Sequence, residues 1–232
     1  YLRPFMIADE SFLGVRAAHR ARFMVIASPA GAYFTGGIKP VSIWLSSELA
    51  RAGQGGTGAA KCGGNYASSL LPTNIAAEHG CAQVLFTDSS TEDTIDELGG
   101  MNLFLVHAGA DGEPDALLTP ALNGNILDGI TRKSLIQLAR DRGLAVEERA
   151  VAVSEWRTGV EDGSIVEAFA CGTAAVITPI RRLIGEGGLS IDFGEVGPGA
   201  LTMSLRDELT GIQYGTREDR HGWVETIVPA GR

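Results

Sequence analysis

Apolar residues in this chain fall in short runs bounded by glycine and proline, and their spacing switches between strand-like and helix-like periods. Two β-like runs, Phe23 to Ala27 and Val41 to Leu45, read as β-strands. Turn chemistry separates them, at Ser28-Pro29-Ala30-Gly31 and at Gly36-Gly37. Val84 to Phe86, Met101 to Val106 and Val166 to Ala170 also read as strands. Leu135, Ile136, Leu138 and Ala139 share one side of a helix predicted over Ile130 to Arg142 and stopped by Gly143. Leu201, Leu205, Leu209 and Ile212 recur at helical spacing near the end. Another helix is predicted to end near His79-Gly80, where glycine supplies the left-handed cap. The elements mix without a strict βαβ rhythm. That predicts an α+β fold with a mixed sheet rather than a doubly wound one.

The 232 residues are enough for one large domain or one and a half small ones. A formal net charge of −9 disfavours partners with phosphate backbones or anionic lipid surfaces. The apolar runs are too short to cross a bilayer. Cys62, Cys81 and Cys171 form neither a C-x-x-C pair nor a zinc-type cluster, so a reducing, cytoplasmic setting is expected. The chain opens Tyr1-Leu2-Arg3-Pro4-Phe5 without Met, which reads as a start inside a domain.

Candidate chemistry concentrates in a few segments. A glycine-rich stretch, Gly53 to Gly64, contains Lys61 and runs into Asn65-Tyr66. Only three lysines occur, Lys39, Lys61 and Lys133, beside sixteen arginines. The small residues around Lys61 suggest a desolvated amine suited to Schiff-base chemistry, although a solvated loop lysine explains it as well. At Leu127-Asp128-Gly129-Ile130-Thr131-Arg132 a glycine turn feeds a helix start, where free N–H groups suit a phosphate. Gly172-Thr173-Ala174-Ala175 offers exposed amides and one hydroxyl; a plain N-cap and a tight turn are the simpler readings of these two segments. Glu97 alone reads as a turn carboxylate. The four histidines, at 19, 79, 107 and 221, share no triad or metal spacing.

Taken in order, these pieces are more specific than any one of them. Lys61-x-Gly63-Gly64-Asn65-Tyr66, Glu97-x-Gly99-x-Met101-Asn102-Leu103-Phe104, Gly129-Ile130-Thr131-Arg132 and Gly172-Thr173-Ala174-Ala175 form a series. The series resembles the branched-chain aminotransferases of the fold-type IV pyridoxal-phosphate family. The likeness starts at Tyr1-Leu2-Arg3-Pro4, includes Gly31 to Phe34, and closes with Leu209 to Gly215 and Trp223.

The resemblance implies the large domain of that fold over 36–232, with 1–35 as the end of a small domain and the junction. It implies pyridoxal 5'-phosphate as cofactor, with Lys61 as its Schiff-base lysine and proton shuttle. Glu97 would pair with the pyridine nitrogen, Tyr66 would lie by the cofactor 3-oxygen and near the substrate carboxylate, and Leu127 would pack on the ring. Asn102 and Gly129 join the cofactor set, with Ile130, Thr131 and Thr173 on the phosphate. Ala174 and Ala175 would meet the substrate carboxylate, while Tyr1 and Arg3 would border the substrate pocket.

The implied reaction moves amino groups between leucine, isoleucine or valine and 2-oxoglutarate, in a homodimer, with small-molecule partners and no metal. D-amino-acid aminotransferase and aminodeoxychorismate lyase chemistry are alternatives, as is an incomplete fragment. Four departures stand out. Nothing in these residues matches the family's smaller N-terminal domain, which is expected to lie outside this sequence unless the chain is a fragment, and Asp128 stands where proline is usual. Pro72 falls within the helix expected after Tyr66, and Ala175 and Thr178 occupy the places of a redox C-x-x-C.

Overall fold

A computed structural model describes residues 1–31, 37–91, 93–195 and 197–227. Beyond Gly31, the Gly31 to Phe34 motif lies outside the described residues. The chain divides into two compact units, Tyr1–Gly37 and Ile38–Arg232.

The first unit is a hairpin. Strand β1 (Leu2–Ala8) pairs antiparallel with β2 (Ala21–Ala27), Leu2 opposite Ala27 and Arg3 opposite Ile26. The Tyr1 ammonium donates to the Ser28 carbonyl at 2.7 Å. The Arg3 guanidinium lies 5.1 Å from the Tyr1 ring centroid.

Among the described residues, the second unit is a nine-stranded mixed sheet with four α-helices and one 3-10 turn, Glu186–Gly188. Its elements are β3 (Val41–Ser46), α1 (Gly63–Glu78), β4 (Gln83–Thr87), β5 (Ile95–Leu98), β6 (Asn102–Ala108), β7 (Pro114–Pro120) and α2 (Ile130–Asp141). They continue with β8 (Ala145–Arg149), α3 (Val153–Asp162), β9 (Ile165–Gly172), β10 (Val176–Ile184), β11 (Ser190–Asp192) and α4 (Ala200–Gln213). Strand order is β5-β4-β3-β10-β9-β6-β7-β8, with β11 on β10. The pairs β3–β4, β3–β10 and β7–β8 are parallel and the others antiparallel, so the α+β expectation holds.

The central strands are apolar on both faces because both faces are covered. Along β6, Leu103 and Leu105 join the cluster around Trp156 of α3, while Phe104 and Val106 join the cluster under α2 and α4. β9 divides the same way: Ala168 and Ala170 face α3, and Phe169 and Cys171 face α2 and α4. The period of two between successive side chains produces this split. Phe104 and Phe169 stack with centroids 5.0 Å apart. The sequence reading predicts none of β1, β5, β7, β8, β10 and β11, where alternation is weak or the strand short, and it does not predict α3.

Pro72 sits inside α1, not in its first turn. Its fixed φ is compatible with a helix, although its missing N–H deprives the Ser68 carbonyl of the usual helical donor. Burial of the ring offsets part of that loss. Nearby hydroxyls turn back onto the helix, Ser69 to the Tyr66 carbonyl at 2.8 Å and Thr73 to the Ser69 carbonyl at 2.7 Å.

Candidate active site

Glu97 corrects the simplest reading of the sequence. It is a strand residue of β5, 3% exposed, not a turn carboxylate. Arg51 Nη2 lies 2.6 Å from its Oε1, the Leu127 amide donates to Oε1 at 3.2 Å, and Asn102 Nδ2 donates to Oε2 at 2.9 Å. A carboxylate offers about four acceptor positions. Three are filled, and the open one is on Oε2. Burial pushes the Glu97 carboxyl up to about 7, against the opposing pull of Arg51, the Leu127 amide and the Lys61 charge.

Asn102 is the hinge of the site. Besides Glu97, its Nδ2 serves the Leu127 carbonyl at 2.9 Å. Its Oδ1 lies so close to Gly129 that an added Cβ there would stand 2.2 Å from it, which explains the glycine. Asn102 pairs with Cys171 across β6 and β9, so Gly172-Thr173-Ala174-Ala175 begins one residue beyond its partner. Gly172 packs by Gly100 and Met101. Thr173 and Ala174 are exposed and Ala175 is buried. The turn closes on Val176 at φ +61°, a left-handed conformation costly for a β-branched residue.

Helix α2 starts as the sequence predicts. Its N-cap is Gly129, with no side-chain cap and no acidic residue in the first turn. The first-turn N–H groups therefore lack intrahelical partners and carry the positive end of the dipole. Ile130 is exposed and Thr131 buried. Asp128, the negative charge beside this cradle, is paired with Lys133 at 2.6 Å. Arg132 turns inward, 2% exposed, to the Pro120 carbonyl and Glu148.

Lys61 lies just before α1. The expected desolvation is not met: Lys61 is exposed, because the flanking small residues leave its side chain uncovered. Its Nζ stands 5.5 Å from the ring centroid of Tyr66, itself exposed in the first turns of α1. The loop is held by Asn65, a residue of the motif to which the resemblance assigns no role of its own. Asn65 Nδ2 donates to the carbonyls of Thr57 at 2.8 Å and Ala60 at 2.9 Å, and its Oδ1 accepts from the Thr57 hydroxyl at 2.8 Å. The Ala59 amide reaches the Gly124 carbonyl at 2.9 Å, tying this loop to the one that leads to Leu127.

Asp96, beside Glu97, is also buried, held by Asn123 at 2.8 Å and Asn125 at 3.2 Å; burial raises its carboxyl above the usual range. Arg51 and Asp96 carried no motif signal. A run of consecutive acidic residues in a strand was the available hint. Tyr1 and Arg3 belong to the hairpin unit and are exposed there.

The described residues thus bring a lysine, a buried carboxylate with one open acceptor position, an uncapped helix start and a tight amide turn onto adjoining loops and strand ends. A family model described as amino-transferase class IV matches residues 1–183. The chain belongs to this family.

Among its relatives, the branched-chain-amino-acid aminotransferase of Mycolicibacterium smegmatis is 56% identical over 98% of this chain, and that of Mycobacterium tuberculosis 55% over 98%. The chain spans 61% of the length of each. A crystal structure of the Escherichia coli branched-chain amino acid aminotransferase superposes with a TM-score of 0.80 at 31% identity, covering 97% of this chain and 69% of that one. The PLP holo-form of the Thermobaculum terrenum branched-chain amino acid aminotransferase gives 0.73 at 28% identity, covering 92% and 63%.

Proposed function

We propose that this chain carries the cofactor-binding part of a pyridoxal-phosphate transaminase that exchanges amino groups between leucine, isoleucine or valine and 2-oxoglutarate, yielding branched-chain 2-oxo acids and glutamate. The observation that carries this most is Glu97: buried, with one acceptor position open on Oε2. A ring N–H is the donor that position suits. The glycine at 129 and the uncapped start of α2 fit a phosphate in the same way. When bound, the cofactor supplies an electron sink for charge developing at the substrate Cα.

Each residue then has a role of its own. Glu97 accepts the ring N–H, and Asn102 holds its carboxylate in one orientation. The Ile130 and Thr131 amides, with the Thr173 hydroxyl, bind the phosphate. Leu127 would pack on the ring, and Tyr66 would lie beside the cofactor 3-oxygen and near the substrate carboxylate. Lys61 would hold the cofactor through its amine and, when that amine is free, would carry a proton to and from the substrate. The Ala174 and Ala175 amides donate to the substrate carboxylate. Tyr1 and Arg3 are assigned to substrate binding by their sequence pattern alone. A homodimer and a cytoplasmic location belong to the same reading; no described helix is long and apolar enough to cross a membrane.

The test is borohydride reduction after incubation with pyridoxal phosphate, followed by peptide mapping. Label on Lys61, lost in Lys61→Ala, supports the reading; label on Lys39 or Lys133 overturns it. Leucine-dependent glutamate formation then tests the substrates.

A further inference from the structure

Arg51 lies in the stretch between β3 and α1 with its side chain 7% exposed. Its Nη2 faces three acceptors. One is Glu97 Oε1 at 2.6 Å, another is the Gly58 carbonyl at 3.2 Å, and the third is the Asn125 carbonyl. Each acceptor belongs to a different part of the candidate site: Gly58 to the loop that ends at Lys61, Glu97 to β5, and Asn125 to the loop that ends at Leu127 and Gly129. The Arg51 backbone is fastened as well, its carbonyl accepting from the Ser68 hydroxyl of α1 at 2.8 Å. The close approach of Gly58 to Asn125, where a Cβ would stand 2.3 Å from the Asn125 carbonyl oxygen, leaves the two loops no room to slide.

We propose that Arg51 is a positioning residue that sets Glu97, Lys61 and the α2 cradle in register through one guanidinium. The proposal rests on the reading of Glu97 and Lys61 as cofactor contacts. A guanidinium is always charged and weakly hydrated, so it tolerates burial, and here it brings one nitrogen, Nη2, to the point where the three acceptors converge. Glu97 gains a fixed rotamer and a neighbouring positive charge; the two carbonyls gain a donor they would otherwise lack in a buried place. Arg51 touches no position open to a ligand. Its influence on chemistry runs through Glu97 and the two loops.

The groups that face Glu97 are Arg51, Asn102, the Leu127 amide, the Lys61 charge and Asp96, whose own carboxylate is held by Asn123 and Asn125. Removing Arg51 therefore leaves a buried carboxylate beside another buried carboxylate, with Lys61 as the only remaining cation named among these groups. Two consequences follow. The proton on Glu97 should be held more tightly, and the loop before Lys61 should open more often.

The experiment uses the whole chain with Arg51→Gln and Arg51→Lys. Two readouts need no cofactor: the titration of Glu97 followed by carbon-13 carboxylate resonances, and the rate of Lys-C cleavage after Lys61. A third is pyridoxal-phosphate affinity. Arg51→Gln should raise the Glu97 midpoint by one pH unit or more, speed cleavage about tenfold, and weaken cofactor binding about tenfold, which is about 1.4 kcal/mol. Arg51→Lys should restore much of the midpoint but not the cleavage rate, since the shorter lysine side chain keeps a charge near Glu97 without reaching the place where Nη2 meets the two carbonyls. Unchanged midpoint and cleavage in a folded Arg51→Gln overturn the proposal. If Arg51→Gln does not fold, Arg51→Lys decides, and wild-type cleavage and affinity there overturn it. If the wild type binds no cofactor at Lys61, the functional reading fails, while the two apo readouts still judge the clamp.

Discussion

Asn102 donates from one nitrogen to both Glu97 Oε2 and the Leu127 carbonyl, each at 2.9 Å, and so ties the first residue of β6 to β5 and to the approach to α2. Truncating it frees a buried carboxylate oxygen and a carbonyl together. Asn102→Ala should cost about 1–3 kcal/mol of stability and weaken cofactor binding by a similar factor, because the open position on Oε2 is no longer fixed. Urea denaturation and a cofactor titration measure the two; a stable variant with full affinity would remove Asn102 from the site.

Glu97 links stability to pH. Its carboxyl titrates near 7 when folded against 4.5 ordinarily, with burial the chief cause. Between those values the folded protein holds a proton that the unfolded chain has released. Stability from this group is therefore full below about 4.5, falls as pH rises toward 7, and is flat above, a change on the order of 3 kcal/mol. Denaturation of the cofactor-free chain across this window, beside Glu97→Gln, isolates the effect. Parallel profiles would mean that Arg51 keeps Glu97 ionised throughout.

The pairing of Asp128 with Lys133 answers a charge that the sequence places next to the start of α2, the proposed phosphate cradle. Lys133→Met should leave Asp128 unpaired beside the start of α2 and weaken phosphate-ester binding a few-fold, in line with about 0.3–1 kcal/mol for a charge at a helix end. Adding Asp128→Asn should restore it. Both shifts should shrink in high salt, since both residues are exposed. Equal affinities in all three proteins would count against the cradle.

Gly58 is required by space rather than by backbone angle. A Cβ there would overlap the Asn125 backbone, with atoms at 2.3, 2.4 and 2.6 Å. Backbone cannot step aside as a flexible side chain can. Gly58→Ala should therefore lower stability by about 1–3 kcal/mol through overpacking and reduce borohydride labelling of Lys61. Gly55→Ala, where nothing lies within 4 Å but φ is +73°, should cost stability without affecting labelling. Similar labelling loss in both would point to general loop disorder instead.

Much of this was legible in the chain. The central strands and helices α2 and α4 appeared in apolar spacing because burial on a known face imposes a period. Lys61, Glu97, Gly129 to Thr131 and Gly172 to Ala175 were legible as an ordered set of short motifs. The edge strands β5 and β8 were not, since acidic residues interrupt them: Asp96 and Glu97 in one, Glu147 and Glu148 in the other.

The sequence by itself determined the mixed architecture, the family series of motifs and the order in which the site's parts are delivered, because each depends on neighbours along the chain. Only the tertiary structure decided what surrounds them. It buried Glu97 on a strand, filled all but one of its acceptor positions, exposed Lys61, paired Asp128 with Lys133, and brought Arg51 to a strand carboxylate and two loop carbonyls at once. Burial and charge pairing depend on residues far apart in the chain, and the folded packing alone sets which of them meet.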